Sequence, residues 1–207
     1  MTHKIKGFYI NLDKRPDRKL HFENIQKKYS FFSELERLSA CEHEKGFIGC
    51  SQSHIKALKK CKDMEGEVFM ICEDDLIIFN DENYKQMINT LNLNDNWDLL
   101  TLTPRGDQFE NDNIRNEYFR IKNCQTTTGY LIKKDFIDIL IENLEEGLKQ
   151  LLNNGDSGYY SADQYWKILQ TKHNFFYFKH VFGGQLVGYS DIEKRFVNYN
   201  QRFVNQK

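Results

Sequence analysis

The residues with the plainest chemical potential are Glu73-Asp74-Asp75, three carboxylates set between the apolar runs Val68 to Cys72 and Leu76 to Phe79. Taking an ionised carboxylate out of water is costly unless a cation or hydrogen bonds replace the water. Such a triplet therefore calls for positive charge. If strand alternation continues past Cys72, Glu73 and Asp75 share one face and Asp74 takes the other. Two convergent carboxylates are hard oxygen ligands that suit magnesium or manganese, ions that bind phosphate oxygens through their open positions. A solvated acidic turn at a strand end accounts for the same residues, and composition alone does not choose between the two readings. Ser53-His54 sets a hydroxyl beside an imidazole, but neighbours on a helix do not face each other and no GxSxG surrounds them. His54 is expected to pack or to support a site nearby, and Cys50 and Cys72 to act as small buried apolar residues.

These residues need elements to hold them. Ile5 to Leu12 has the β-branched and aromatic content of a strand, and Asp13-Lys-Arg-Pro-Asp supplies turn chemistry before a polar helix over Arg18 to Tyr29. Ser51 to Met64 carries Ile55, Leu58 and Cys61 at helical spacing, with Gly49 and Ser51 at its start as capping candidates. Gly66 ends that helix, and the continuous apolar run Val68 to Cys72 predicts a central strand covered on both faces. Trp97 to Leu102 and Thr126 to Ile132 read as further strands, followed by a helix over Lys134 to Leu152 with Phe136, Leu140, Leu144 and Leu148 on one stripe. Ser161 to Thr171 reads as a short helix and Phe175 to Phe182 as a late aromatic strand, while the polar stretch Arg105 to Arg120 reads as a flexible loop over the site. Alternation of this kind predicts an α/β fold with a central, mostly parallel sheet flanked by helices.

With 207 residues and no Gly/Ser- or Pro-rich tract, the chain is expected to form a single domain over 1–207. Hydrophobic residues at 40% and a net charge of -1 argue against disorder and give no global basic field, so a nucleic-acid partner is not expected. The longest apolar runs fall far short of the roughly 20 residues of a membrane span. The first residues lack the unbroken apolar region of a secretory signal, and five cysteines without a CxxC read as reduced thiols. The expectation is a cytoplasmic protein, bacterial or in a virus-infected host, with peripheral attachment to a membrane left open.

Five segments together resemble glycosyltransferase family 25, which includes bacterial lipooligosaccharide and procollagen galactosyltransferases. They are Tyr9-Ile-Asn-Leu-Asp-Lys-Arg-Pro-Asp-Arg, Gly49-Cys-Ser-Gln-Ser-His-Ile, Phe69-Met-Ile-Cys-Glu-Asp-Asp, Thr128-Gly-Tyr-Leu-Ile, and Gln185 through Ser190-Asp-Ile. Each string alone is weak, but five in order and at plausible separations span nearly the whole chain. The resemblance implies a GT-A type nucleotide-binding sandwich in which the acidic triplet is the family's version of the DxD motif. It implies a UDP-hexose donor, UDP-galactose or UDP-glucose, and a cation, Mn2+ or Mg2+, that neutralises charge developing on the leaving diphosphate.

By the same resemblance Asp75 is the expected metal ligand, with His180 as a second. Glu73 and Asp74 would address ribose, donor sugar or metal-bound water, and Gln185 pyrophosphate or acceptor. Asn11, Arg15 and Arg18 fall where the uridine and pyrophosphate are held: arginine suits phosphate through paired charge-assisted hydrogen bonds, and an amide can read a uracil edge. An inverting transferase needs a base for the acceptor hydroxyl, and Asp163 is the expected one, with Asp156 in reserve. Tyr159, Tyr160 and Trp166 could stack on sugar rings or belong to the core. The acceptor implied is a glycan or hydroxylysine-type hydroxyl. Two other readings stay open: a metal-dependent phosphohydrolase, disfavoured by the absence of a P-loop, and a catalytically inactive sugar-nucleotide-binding relative.

Overall fold

The computed structural model describes residues 4–111, 118–179 and 182–199. Its centre is an eight-stranded mixed sheet in the order β2-β1-β3-β8-β5-β9-β7-β6. The strands are β1 (Gly7–Asn11), β2 (Leu35–Ser39), β3 (Val68–Glu73), β5 (Leu99–Thr101), β6 (Arg105–Asn111), β7 (Tyr118–Gln125), β8 (Gly129–Lys133) and β9 (Phe175–Phe178). Two small antiparallel pairs stand beside it: β4 (Leu76–Ile78) with β10 (Gly183–Gln185), and β11 (Gly188–Ser190) with β12 (Arg195–Val197). The parallel pairs are β1 with β2, β1 with β3, and β5 with β9, and the other pairings within the sheet are antiparallel.

Both faces of the sheet are covered, and alternation along each strand divides the core in two. Phe8, Ile10, Phe69, Ile71, Tyr130 and Ile132 join a cluster beneath α2 (Gly46–Lys62) and α4 (Ile137–Asn154). Tyr9, Met70, Cys72 and Leu131 point the other way, onto Phe22 and Ile25 of α1 (Pro16–Lys28) and Met87 of α3 (Asp81–Thr90). This explains why Val68 to Cys72 is apolar without a break: Phe69, Met70, Ile71 and Cys72 are all fully buried. Packing is close enough that Gly7, at φ +145°, sits with its Cα hydrogens against the backbone of Met70; an ideal Cβ there would lie 1.9 Å from the Met70 carbonyl oxygen.

Several boundaries differ from the sequence reading. Helix α2 begins at Gly46, so Gly49 lies inside it and Ser51 Oγ donates back to the Phe47 carbonyl instead of capping. Gly49 is required there by a close approach, because a Cβ would lie 2.4 Å from the Cys41 carbonyl oxygen. The stretch expected as one irregular loop over Arg105 to Arg120 contributes paired strands β6 and β7. The strand expected from Thr126 starts only at Gly129, and Ser161 to Thr171 folds as two short helices, α6 (Ala162–Tyr165) and α7 (Lys167–Gln170), preceded by α5 (Ser157–Tyr160). Strand β2 and helix α3 were not expected at all.

The topology also fixes where a ligand can go. From β1 the chain adds β2 on one side by way of α1, then β3 on the other side by way of α2, and the two helices cover opposite faces. Connections that part in opposite directions leave a crevice at the carboxyl ends of the strands between them. Asn11 ends β1 and Glu73 ends β3, so the acidic triplet lies at that crevice.

Candidate active site

The strand ends anchor the triplet through the main chain. Glu73 N–H donates to the Thr128 carbonyl and Asp74 N–H to the Ile10 carbonyl, while the Asp75 carbonyl accepts from Leu186 N–H. β3 stops at Glu73, and the turn that follows ends the alternation expected for the three carboxylates. Asp74 and Asp75 consequently share one partner: Arg18 Nη1 lies 3.2 Å from Asp74 Oδ1 and 3.1 Å from Asp75 Oδ2. Glu73 turns to the other side, where its Oε1 accepts from Thr127 Oγ1 at 2.6 Å and faces His54 Nε2 at 3.4 Å.

A first chamber opens over this crevice, lined by the Asp13-to-Arg18 turn through Lys14, Arg15 and Arg18, by the start of α2, by the triplet and by Gln185. Arg15 pairs with Asp17 and with Asp191, and these bonds hold its guanidinium charged. Gln185 Nε2 donates to Asp75 Oδ2 at 3.0 Å. Asn11 lies differently from expectation. It is 1% exposed; its amide nitrogen donates to Asp74 Oδ2 at 2.6 Å and to the Arg15 carbonyl, and its oxygen accepts from Arg37 Nε at 2.8 Å. Both ends of the amide are taken, so Asn11 positions Asp74 and has no group left for a uracil edge.

A second chamber shares Cys50, Glu73, Gln185, Ser190 and Ile192 with the first and adds Thr126, Thr127, Thr128, Ser161 and Asp163. Asp163 sits in the first turn of α6, where Thr126 N–H donates to Oδ2 and Ser161 Oγ to Oδ1, each at 3.2 Å. Burial raises its pKa above that of an ordinary aspartate. Asp156, the reserve candidate, is exposed and lines neither chamber. Trp166 belongs to the core at 2% exposure, its indole N–H bonded to the Cys124 carbonyl, and Tyr159 is exposed. His180 lies outside the described residues. Cys50, expected to be a buried apolar residue, instead stands on the wall common to both chambers.

Asp75 carries the clearest mark of a missing charge. Its Oδ2 meets Arg18 and Gln185, while its Oδ1 is buried without a hydrogen-bond partner among the described residues. Burial and the neighbouring Glu73 and Asp74 push its pKa up to about 7. An orphaned carboxylate oxygen beside two further carboxylates, with one guanidinium against them, fits a hard divalent cation. The sequence-derived residues thus divide three ways. Arg15, Arg18, Glu73, Asp74, Asp75 and Gln185 meet at the first chamber, Asp163 stands in the second, and Asn11 supports from behind. The Thr126 to Thr128 segment was missed as a site element, because its threonines read equally well as strand.

No curated protein matches the chain. Among solved structures, a glycosyltransferase involved in the glycosylation of the major capsid of PBCV-1 is 15% identical with a TM-score of 0.48, covering 81% of this chain and 74% of that one. A197 from STIV is 12% identical with a TM-score of 0.46 over 93% of both chains. Residues 13–149, well over half of the chain, match the profile of glycosyltransferase family 25 (LPS biosynthesis protein), and the chain belongs to that family of glycosyltransferases.

Proposed function

We propose that the chain moves a hexose, galactose or glucose, from a UDP-sugar to a hydroxyl of a glycan or hydroxylysine-type acceptor, with inversion and with Mn2+ or Mg2+ held at Asp75. The observation that supports this most is the pair of chambers joined at Glu73 and Gln185, one suited to a diphosphate and the other holding a buried carboxylate. Lys14, Arg15 and the start of α2, which no side chain caps, bring positive charge to the first chamber. Asp75, with His180 as the second expected ligand, would hold the cation, which supplies neutralisation of the charge developing on the leaving diphosphate. Arg18 keeps Asp74 and Asp75 oriented and complements the same charge. Glu73 and Gln185, on the shared wall, are the groups nearest to where the sugar must pass from donor to acceptor.

In the second chamber Asp163 takes the proton of the acceptor hydroxyl as that oxygen attacks the anomeric carbon. Its pKa, raised by burial, brings it nearer the value a general base needs at neutral pH, and the bonds from Thr126 and Ser161 fix its orientation. Among the described residues no helix is long and apolar enough to cross a membrane.

Calorimetric titration of UDP-galactose, UDP-glucose and UDP, with and without manganese, tests the reading. Manganese-dependent binding of one UDP-hexose is expected. If no UDP species binds with any divalent cation, the donor assignment is wrong.

A further inference from the structure

The wall between the chambers carries a second cluster of ligand atoms that the transfer reaction does not use as such. Cys50 and His54 are one turn apart on α2, so both project toward the end of β3, where Glu73 meets them. The thiol, one imidazole nitrogen and one carboxylate oxygen all lie within 4.8 Å of one another. We propose that Cys50 Sγ, His54 Nε2 and Glu73 Oε1 form a binding site for one thiophilic divalent cation, zinc first among them, separate from the hard-cation site at Asp75. The proposal goes beyond the transferase reading and does not depend on it.

Three features favour an ion over a nucleophile relay. Nδ1 of His54 lies 3.1 Å from the Tyr130 hydroxyl, and Nε2 is aimed at the Glu73 carboxylate. The gap between Nε2 and Glu73 Oε1 is 3.4 Å, long for a charge-assisted hydrogen bond. Two ligands of one tetrahedral zinc, with bonds of about 2.0–2.2 Å to nitrogen and oxygen, stand roughly 3.3–3.5 Å apart, which is the spacing seen.

The outer contacts are those a metal site needs. The neutral ring can carry its proton on Nδ1 and donate to the Tyr130 oxygen, which leaves the Nε2 lone pair for the ion. Thr127 Oγ1 donates to Glu73 and fixes that carboxylate. The wall is also strongly acidic, since Glu73, Asp75 and Asp163 line the chambers on either side of Cys50. Thiolate, imidazole and carboxylate together select a borderline-soft ion over magnesium or manganese. On binding, the thiol proton leaves to solvent. Three protein ligands leave the fourth position open, here toward the chambers that Cys50 and Glu73 line. An ion there would hold Glu73 and stand in the passage between donor and acceptor, so zinc is expected to inhibit transfer.

The test is a titration of the reduced full chain, stripped of metal, with cobalt(II) and then zinc in competition with a chromophoric chelator, without nucleotide. The wild type should bind one cobalt with a sulfur-to-cobalt charge-transfer band that zinc displaces. Cys50→Ser should abolish that band and weaken zinc by at least about tenfold, since loss of a direct ligand costs no less than loss of an outer partner. His54→Gln should weaken zinc similarly, and Cys50→Ser carries the test if the buried His54 variant does not fold. Asp75→Asn should leave zinc binding as it is. The proposal is overturned if the wild type binds no zinc, if the band survives in Cys50→Ser, which would move the ion to Cys41 on the same chamber, or if Asp75→Asn loses zinc while Cys50→Ser keeps it. Absence of UDP binding in the separate calorimetry would leave each of these outcomes unaffected.

Discussion

Around the first chamber charged and amide groups hold one another, with Asp75 Oδ1 and Arg18 Nε the buried atoms left without a partner among the described residues. Asn11 bridges Asp74, Arg15 and Arg37; Arg18 ties Asp74 to Asp75 and donates to the Tyr189 carbonyl; Arg15 reaches Asp191. The second chamber, at about 390 Å3 against 130 Å3, is wider and less settled. The hydroxyls of Thr126 and Thr128 are buried there with no partner among the described residues, and Thr126 has φ 91°, a conformation that a β-branched residue adopts only under strain. The contrast fits a division of labour. A donor of fixed chemistry, a nucleoside diphosphate and its cation, can be met by a charged network that is open only at a few fixed atoms, here Asp75 Oδ1 and Arg18 Nε. An acceptor that brings its own hydroxyls needs groups left free to bond to them, and free buried groups cost stability.

That contrast is most directly broken by removing one carboxylate from each side. Asp75→Asn should abolish cation-dependent donor binding and lower transfer by at least about 10³-fold, the scale of lost metal stabilisation. Asp163→Asn should leave donor affinity as it is and lower kcat by about 10²- to 10⁴-fold, the range of a missing general base. Calorimetry beside turnover separates them. If Asp163→Asn loses UDP-sugar binding, or Asp75→Asn keeps it, the assignment of donor and acceptor to separate chambers fails.

The same division predicts two acid limbs in pH. On the proposed reading a cation would bind the Asp75 carboxylate form, and Asp75 has its pKa pushed up to about 7, so cation-dependent donor affinity should fall as the pH drops through about 7. As the proposed base Asp163 would also have to be deprotonated, and its pKa is raised above 3.8 by burial. With donor and cation saturating, kcat should therefore fall on the acid side at a pH above that of an ordinary aspartate. Binding isotherms and kcat measured across the same pH series show whether the limbs are distinct. A single limb shared by both would merge the chambers into one titrating unit.

What sequence could reveal follows from how local each cause is. Strand β3 was legible because burial on both faces leaves no polar position to confuse the pattern, and α4 because its apolar stripe recurs at helical spacing. The triplet was legible because three carboxylates beside an apolar run have few explanations. Strand β2 was not, because Leu35–Ser39 is half exposed and its parallel pairing with β1 depends on residues far away. The orientation of the triplet was misread for a similar reason: a turn after Glu73, set by Leu76 pairing with Gln185, is not written in the alternation of Val68 to Cys72. Asn11 shows the limit most plainly. Its type suited base recognition, but only the fold brings Arg37 and Asp74 to the two ends of its amide.

The smallest expected effect sharpens the comparison furthest, because it asks whether the looseness of the second chamber is there for function. At φ 91° Thr126 carries strain of about 1–3 kcal/mol, which glycine would relieve at a cost of about 0.5–1 kcal/mol in chain entropy. Thr126→Gly keeps the N–H that donates to Asp163 Oδ2 and removes the side chain, Cβ and methyl group together with the unpartnered hydroxyl. The variant should therefore be more stable by about 1 kcal/mol, a rise in Tm of roughly 2–4 °C for a chain of this size. KM for the acceptor should rise while KM for the donor stays unchanged. A variant that gains stability with no change in acceptor KM would mark the strain as incidental to binding. A variant that loses stability would mean that the Thr126 side chain holds the second chamber together, and that the two chambers are built alike.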